Sequence, residues 1–167
     1  MKNHIVAGSG HGPEKLIQRF PNFPAASLHD RLTDFAADLL TEIEPTEVIS
    51  GMARGWDLAL ASAAVRLDIP LTAACPFKGQ ERLWSGREQA LYRDLLTAAA
   101  RVVFVCNHSL TIAFQERNEW MVDRCDHLLA LYDGTHGGTA NCIAYANRWP
   151  FCTIDNRWRQ WIERCAA

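Results

Sequence analysis

The chain has 167 residues, 49% of them hydrophobic and 22% charged, the balance of an ordinary globular protein with length for one domain and a sizeable core. A formal net charge of −2 gives no general attraction for nucleic acid. No apolar run is long enough to span a membrane and Met1-Lys2-Asn3-His4 lacks a secretory core, so the expected location is the cytoplasm.

Ile5-Val6-Ala7 reads as a first strand, followed by the glycine loop Gly8-Ser9-Gly10-His11-Gly12 and Pro13-Glu14-Lys15. That loop is too rich in glycine to be helical, and the next helix is expected to start at Ser27, with Asp30 completing a capping box. Leu28, Leu32, Phe35, Leu39 and Ile43 recur behind it at helical spacing, the mark of a helix laid on a sheet. Glu47 to Ser50 forms a second strand and runs into Gly51-Met52-Ala53-Arg54-Gly55-Trp56-Asp57. The Ala/Leu-rich helix from Asp57 to Leu67 is apolar nearly all round and is expected to be well buried.

Leu71 to Cys75 is a third strand, and Ser85 with Glu88 is a second capping box opening a helix through Ala98. Arg101 to Cys106 is a fourth strand whose unbroken run of Val102, Val103, Phe104 and Val105 suits a strand buried on both faces. A helix follows from Ile112 to Cys125, then a strand from His127 to Tyr132, a helix to about Trp149, a strand at 151–154 and a terminal helix. Trp158, Trp161, Ile162 and Cys165 make the inner face of that last helix. Six alternations of strand and helix predict an α/β fold: an open, mostly parallel, doubly wound sheet with helices on both faces.

In such a sheet ligands bind beyond the carboxyl ends of the strands. Three glycine turns converge there: Gly8 to Gly12, Gly51 to Gly55, and Gly137-Gly138-Thr139. Strand, glycine turn and helix N-terminus together offer backbone N–H groups and a positive dipole end to an anion. Arg117 and Asn118 fall on the same helix face as Phe114, Met121, Val122 and Cys125, so a charge points inward and must be paired. Its partner is either a structural carboxylate such as Asp133 or an anionic ligand gripped bidentately. Phe77 and Trp84 offer either stacking to a base or a hydrophobic lid. His11 and His136 sit in glycine loops, within reach of a phosphate or simply exposed.

A standard dinucleotide site is not expected, because Pro13 interrupts the first loop and the second strand ends in Ile49-Ser50-Gly51 rather than an acidic residue. No Walker A sequence and no Gly-x-Ser-x-Gly elbow occur. His4, His29, His108 and His127 show no metal-ligand spacing. The six cysteines, at 75, 106, 125, 142, 152 and 165, contain no Cys-x-x-Cys pair and read as reduced structural thiols. No metal and no tightly bound cofactor is expected.

Five segments in order resemble the YpsA/YoqJ-like family of bacterial and phage proteins in the SLOG superfamily, which joins the DprA/Smf and LOG proteins. They are Gly10 to Leu16; Ser50 to Asp57; Pro76-Phe77-Lys78-Gly79-Gln80 with Trp84; Arg117 to Asp123; and Tyr132-Asp133-Gly134 with Gly137-Gly138-Thr139-Ala140-Asn141. The resemblance implies a Rossmann-like fold binding a nucleotide or nucleotide-derived small molecule. The glycine turns and the resemblance together single out as ligand-binding Gly8, Ser9, Gly10, His11, Gly51, Met52, Ala53, Arg54, Gly55, Asp57, Phe77, Gln80, Arg117, Asn118, Asp133, Gly137, Gly138 and Thr139. No residue is singled out as catalytic.

Two departures matter. Gly12 stands where the family usually carries a larger residue. Cys142 stands where LOG-type phosphoribohydrolases carry a glutamate, and glycosidic cleavage depends on such a carboxylate. A sensor or adaptor that binds its ligand is therefore expected ahead of an N-glycosidic hydrolase, with DprA-like single-strand DNA binding disfavoured by the charge. Related SLOG proteins also raise a homo-oligomer, with Trp158 and Trp161 offered to a neighbour; packing of that helix on its own sheet is preferred.

Overall fold

The computed structural model describes residues 3–167. In chain order the elements are β1 (Ile5–Gly10), α1 (Pro13–Ile17), α2 (Leu28–Ile43), β2 (Glu47–Ser50), α3 (Trp56–Arg66), β3 (Leu71–Cys75), α4 (Gly86–Ala98), β4 (Arg101–Phe104), α5 (Ile112–Val122), β5 (His127–Leu131), α6 (Gly138–Ala146), β6 (Thr153–Asn156) and α7 (Trp158–Ala166). The strands form one sheet in the order β4-β3-β2-β1-β5-β6, and every pairing is parallel. The chain thus winds outward from β1 to β4, then α5 carries it back to β5 on the other side of β1. That reversal makes the β1/β5 boundary the topological switch point, where the loops on either side part and leave a crevice.

Two apolar clusters sandwich the sheet. One gathers Leu16 of α1, the inner faces of α2 and α3, Tyr92 and Leu95 of α4, and Trp161 of α7. The other is smaller and joins Met121 and Val122 of α5 to Cys142 and Ala146 of α6, across Ala7, Ile49, Ala74 and Leu128. α3 is buried nearly all round, as its Ala/Leu composition predicts. α7 packs on its own domain, where Trp161 lies against Phe23 and Phe35. Among the described residues no helix is long and apolar enough to cross a membrane.

Four local expectations differ from the structure. β1 runs on through Gly8, Ser9 and Gly10, because parallel pairing with β5 continues to Gly10, so the first glycine loop begins only at His11. Pro13 does not interrupt a helix; it begins α1, with Gly12 at the N-cap. A proline suits that first position because its missing N–H would have no helical partner there. The Ser27 hydroxyl donates to Pro24 O at 2.8 Å and caps nothing, whereas the Ser85–Glu88 capping box is complete. β4 is an edge strand: Val102 and Phe104 are exposed by 39% and 37%. An apolar run records hydrophobicity, not what covers it, and here its outer residues stay open to solvent.

Candidate functional site

The loop leaving β2 is wired by Ser50. Its hydroxyl donates to Asp57 O at 2.7 Å and accepts from Met52 N at 3.1 Å, which folds residues 50–57 into a tight turn. Gly55 makes the turn possible. Its φ is +86°, and a Cβ there would fall 2.5 Å from His11 O, so only glycine fits this conformation and this approach. The Trp56 amide then donates to His11 O at 3.3 Å, locking the β1 and β2 loops together.

Arg117 and Asn118, on the second turn of α5, are 5% and 6% exposed. The Arg117 guanidinium donates through Nη1 to Gly51 O and through Nε to Asn118 Oδ1 at 3.0 Å. Asn118 Nδ2 reaches Gly138 O at 3.3 Å. A polar strap therefore ties the β2 loop, α5 and the start of α6 across the strand ends. A Cβ on Gly51 would lie 2.5 Å from Arg117 Nη1 and 2.7 Å from Asp57 Oδ2, so the missing side chain is what admits both groups. Among the described residues no carboxylate oxygen lies within the 4.0 Å of an ion pair with Arg117. Asp133 in particular is engaged elsewhere.

Asp57 is 5% exposed. Burial pushes its carboxyl up to about 6 against the opposing pull of Arg117 and the Ala53 N–H. Asp133 shows the reverse. Some burial opposes ionisation, but bonds from the Thr135 hydroxyl and amide, with His11, hold it down to about 2. His11 Nε2 lies 2.6 Å from Asp133 Oδ1 and 3.0 Å from Asp133 N. Burial lowers the histidine below its ordinary value despite that carboxylate, so the ring is a neutral clasp between the β1 and β5 loops at neutral pH.

His11, Asp57, Arg117 and Asn118 line a cleft of about 570 Å³ at the switch point, within the size range of small-molecule sites. Ser9, Gly10, His11, Ala53, Asp57, Arg117, Asn118, Gly137, Gly138 and Thr139 of the expected set all face it. Gly137 has φ +144° and turns the chain into α6, whose first N–H groups have no helical acceptors. Lys15, Glu14, Phe114 and His136 line the cleft too. Lys15 Nζ donates to Thr135 Oγ1 at 2.6 Å and His136 O at 3.0 Å. The signal for Lys15 was Pro13 as a helix start, which brings its side chain back over the strand ends.

The remaining expected residues do other work. Gly8 leaves room for Leu60 and Trp56 of α3. Gly51 sits behind Arg117. Met52 is fully buried and its carbonyl accepts from Gln80 Nε2 at 3.3 Å, which also reaches Tyr92 OH at 3.4 Å. Arg54 faces away from the cleft and pairs with Glu88 at 2.7 Å and Glu14 at 2.8 Å. Gly55 serves the loop crossing, and Asp133 braces His11 from behind. Phe77 lies edge-on to Phe114, ring centroids 5.5 Å apart, and opens onto a second cleft beside β4. Cys142 is wholly buried and burial pushes its thiol up to about 11.

The profile described as the YspA SLOG family matches residues 27–159. The chain belongs to that family. Among its relatives, the SPbeta prophage-derived protein YoqJ of Bacillus subtilis strain 168 is 29% identical over 138 residues, which cover 72% of this chain and 81% of YoqJ. DNA processing protein A (DprA) from Streptococcus pneumoniae has a similar structure, with TM-score 0.57 and 16% identity over 87% of this chain. This SLOG chain spans 47% of that DprA chain. The molybdenum cofactor binding protein of Rippkaea orientalis aligns with TM-score 0.56 and 15% identity, covering 99% of this chain and 85% of its own. At such identities these two structures bear on the fold, which is the Rossmann-like α/β sheet of the SLOG family.

Proposed function

We propose that the protein binds a nucleotide-derived anion in the switch-point cleft and acts as a sensor or adaptor for it. The observation that carries this reading is Arg117: a guanidinium almost fully removed from water, lining a cleft, with backbone and amide partners and, among the described residues, no carboxylate within ion-pair distance, while Asp57, its carboxyl raised by burial, acts on it from farther off. An inward charge needs a counter-charge, and a phosphate between Arg117, Lys15 and the N-terminus of α6 supplies one. The cofactor-binding neighbour of the same fold agrees with a ligand of this class. DNA binding is not favoured, since the net charge of −2 provides no surplus for phosphate backbones.

The test is thermal unfolding against mono-, di- and cyclic nucleotides and ADP-ribose. A ligand at a hundred times its dissociation constant adds about 2.7 kcal/mol, a shift readily measured. Arg117→Ala is expected to abolish it. Gly138→Val is the cleaner partner variant, because a Cβ at Gly138 meets no atom within 4 Å; it places bulk beside the site without crowding the fold. Flat melting curves for the wild-type protein across the whole panel would overturn the proposal.

One observation favours a second reading, hydrolysis of an N-glycosidic bond in the bound ligand. Asp57 faces the cleft with a carboxyl pushed up to about 6, in the range where a group serves as general acid or base near neutral pH. It would stand in for the carboxylate that Cys142 replaces. Free base released from nucleoside monophosphates by wild-type protein, and not by Asp57→Asn, would support cleavage; intact substrate at high enzyme concentration argues for binding alone.

A further inference from the structure

The second cleft, beside the edge strand, holds a cluster that the nucleotide reading does not use. Cys106 and His108 lie on the loop after β4, and Glu116 on α5 faces them. Their ligand atoms lie within 4.8 Å of one another. We propose that Cys106 Sγ, the His108 ring and Glu116 form a three-ligand site for a divalent metal of the zinc type, its fourth position open to the cleft.

The donor set argues for that ion. One thiolate, one imidazole and one carboxylate suit zinc, and three protein ligands with a free fourth position are the pattern of an open zinc site rather than a closed structural one. Ligands held about 2.0–2.3 Å from one zinc stand a few ångströms apart, and the three ligand atoms here already lie within 4.8 Å of one another. Without a cation the cluster is poorly matched. Glu116 Oε2 is approached by Cys106 Sγ at 2.6 Å and by His108 Nε2 at 3.2 Å. His108 Nδ1 is buried with no hydrogen-bond partner among the described residues. If the ring proton is on Nε2 it serves Glu116 and leaves Nδ1 a bare buried acceptor; if it is on Nδ1, a lone pair faces the carboxylate. A metal ion on Nε2 relieves the second case, taking the lone pair that faces the carboxylate and adding bonds to sulfur and oxygen.

Coordination exchanges the Cys106 thiol proton, released to solvent, for the metal–sulfur bond, with no change of oxidation state. The open position looks into a cleft of about 1130 Å³ that Lys78 and Arg82 also line. Cationic walls beside a metal favour an anionic or oxygen fourth ligand over a second metal.

The experiment is a titration of the full reduced chain with Co²⁺ and, separately, Zn²⁺. The expected result is about one metal per chain, with a near-ultraviolet thiolate-to-cobalt charge-transfer band that zinc abolishes. Cys106→Ser is expected to remove the band, and His108→Ala and Glu116→Gln each to weaken binding by more than about 100-fold, beyond the loss typical of an outer-sphere partner. Cys152→Ala is the control, because Cys125 and Cys152 bring two sulfurs within 3.5 Å and are the competing thiol site. A band that survives Cys106→Ser, one lost in Cys152→Ala, or the absence of any thiolate band overturns the assignment. Should Cys106→Ser fail to fold, the histidine and glutamate variants give the same reading. These residues do not line the switch-point cleft, so failure here leaves the nucleotide reading standing.

Discussion

On one side of α5, Arg117 and Asn118 are almost wholly buried and tied to backbone on two neighbouring elements. On the other, the preceding residue, Glu116, meets Cys106 and His108 on a loop at the open edge of the sheet, where all three side chains stay partly exposed. The central cleft owes its geometry to parallel strands on both flanks of β1, so its charges are held in place but cost free energy to keep dry. The edge cleft has strands on one flank only, so its groups stay partly open to solvent and cost little to keep charged. Position in the sheet order, more than residue type, decides which of the two is buried.

The largest expected effect that would break this contrast is at Asp57. The folded protein holds the Asp57 proton more tightly than the unfolded chain, since burial raises its carboxyl from 3.8 to about 6. Its contribution to stability therefore falls as pH rises through that window. Asp57→Asn is expected to be more stable than wild type by about 3 kcal/mol at pH 8 and by under about 1 kcal/mol at about pH 4. Urea unfolding at the two pH values checks it, and a gain independent of pH would remove the buried charge from the account. Ligand affinity should follow the same proton: a phosphodiester of constant charge is expected to bind more tightly at pH 5.5 than at pH 8.

Next comes the clasp between the β1 and β5 loops. His11→Ala removes a hydrogen bond to a charged group and should cost about 2 kcal/mol, read as a lower denaturant midpoint with unchanged slope. Arg54 tests the opposite case. It is partly exposed and its two ion pairs are screened by solvent, so Arg54→Ala is expected to cost under about 1 kcal/mol and to leave the nucleotide-induced melting shift intact. Smallest of all, metal-free Cys106→Ser is expected to lie within about 0.5 kcal/mol of wild type; a larger loss means the edge loop is more tightly packed than its exposure suggests.

Much of this was legible in the chain. The alternation of apolar runs located every strand to within a few residues, because a parallel sheet requires a strand and a crossover helix in turn. The inward Arg117 was visible from helical spacing alone. What spacing cannot carry is the partner. The Gly51–Asp57 stretch reads as one ligand loop, yet Ala53 and Asp57 face the cleft while Arg54 turns to Glu14 and Glu88. Asp133 has the right chemistry for Arg117 and is instead claimed by His11 and Thr135. The Cys106–His108–Glu116 cluster has no signature in spacing, because its third member comes from the next helix and the fold of the intervening loop brings it back. The edge position of β4 follows from the order of strands in space, which nothing in its own sequence encodes.

The alternate glycines of β1 carry a different constraint from the one their pattern suggests. A Cβ on Gly10 would strike the Trp56 side chain, one on Gly8 would strike Leu60, and the indole reaches past both to donate to Leu129 O on β5 at 3.2 Å. The two glycines are the empty half of a lock whose solid half lies some fifty positions later in the chain. Substitutions at these sites should therefore travel together in descent: a lineage that keeps tryptophan at 56 is bound to a small residue at 10, and one that keeps leucine at 60 to a small residue at 8.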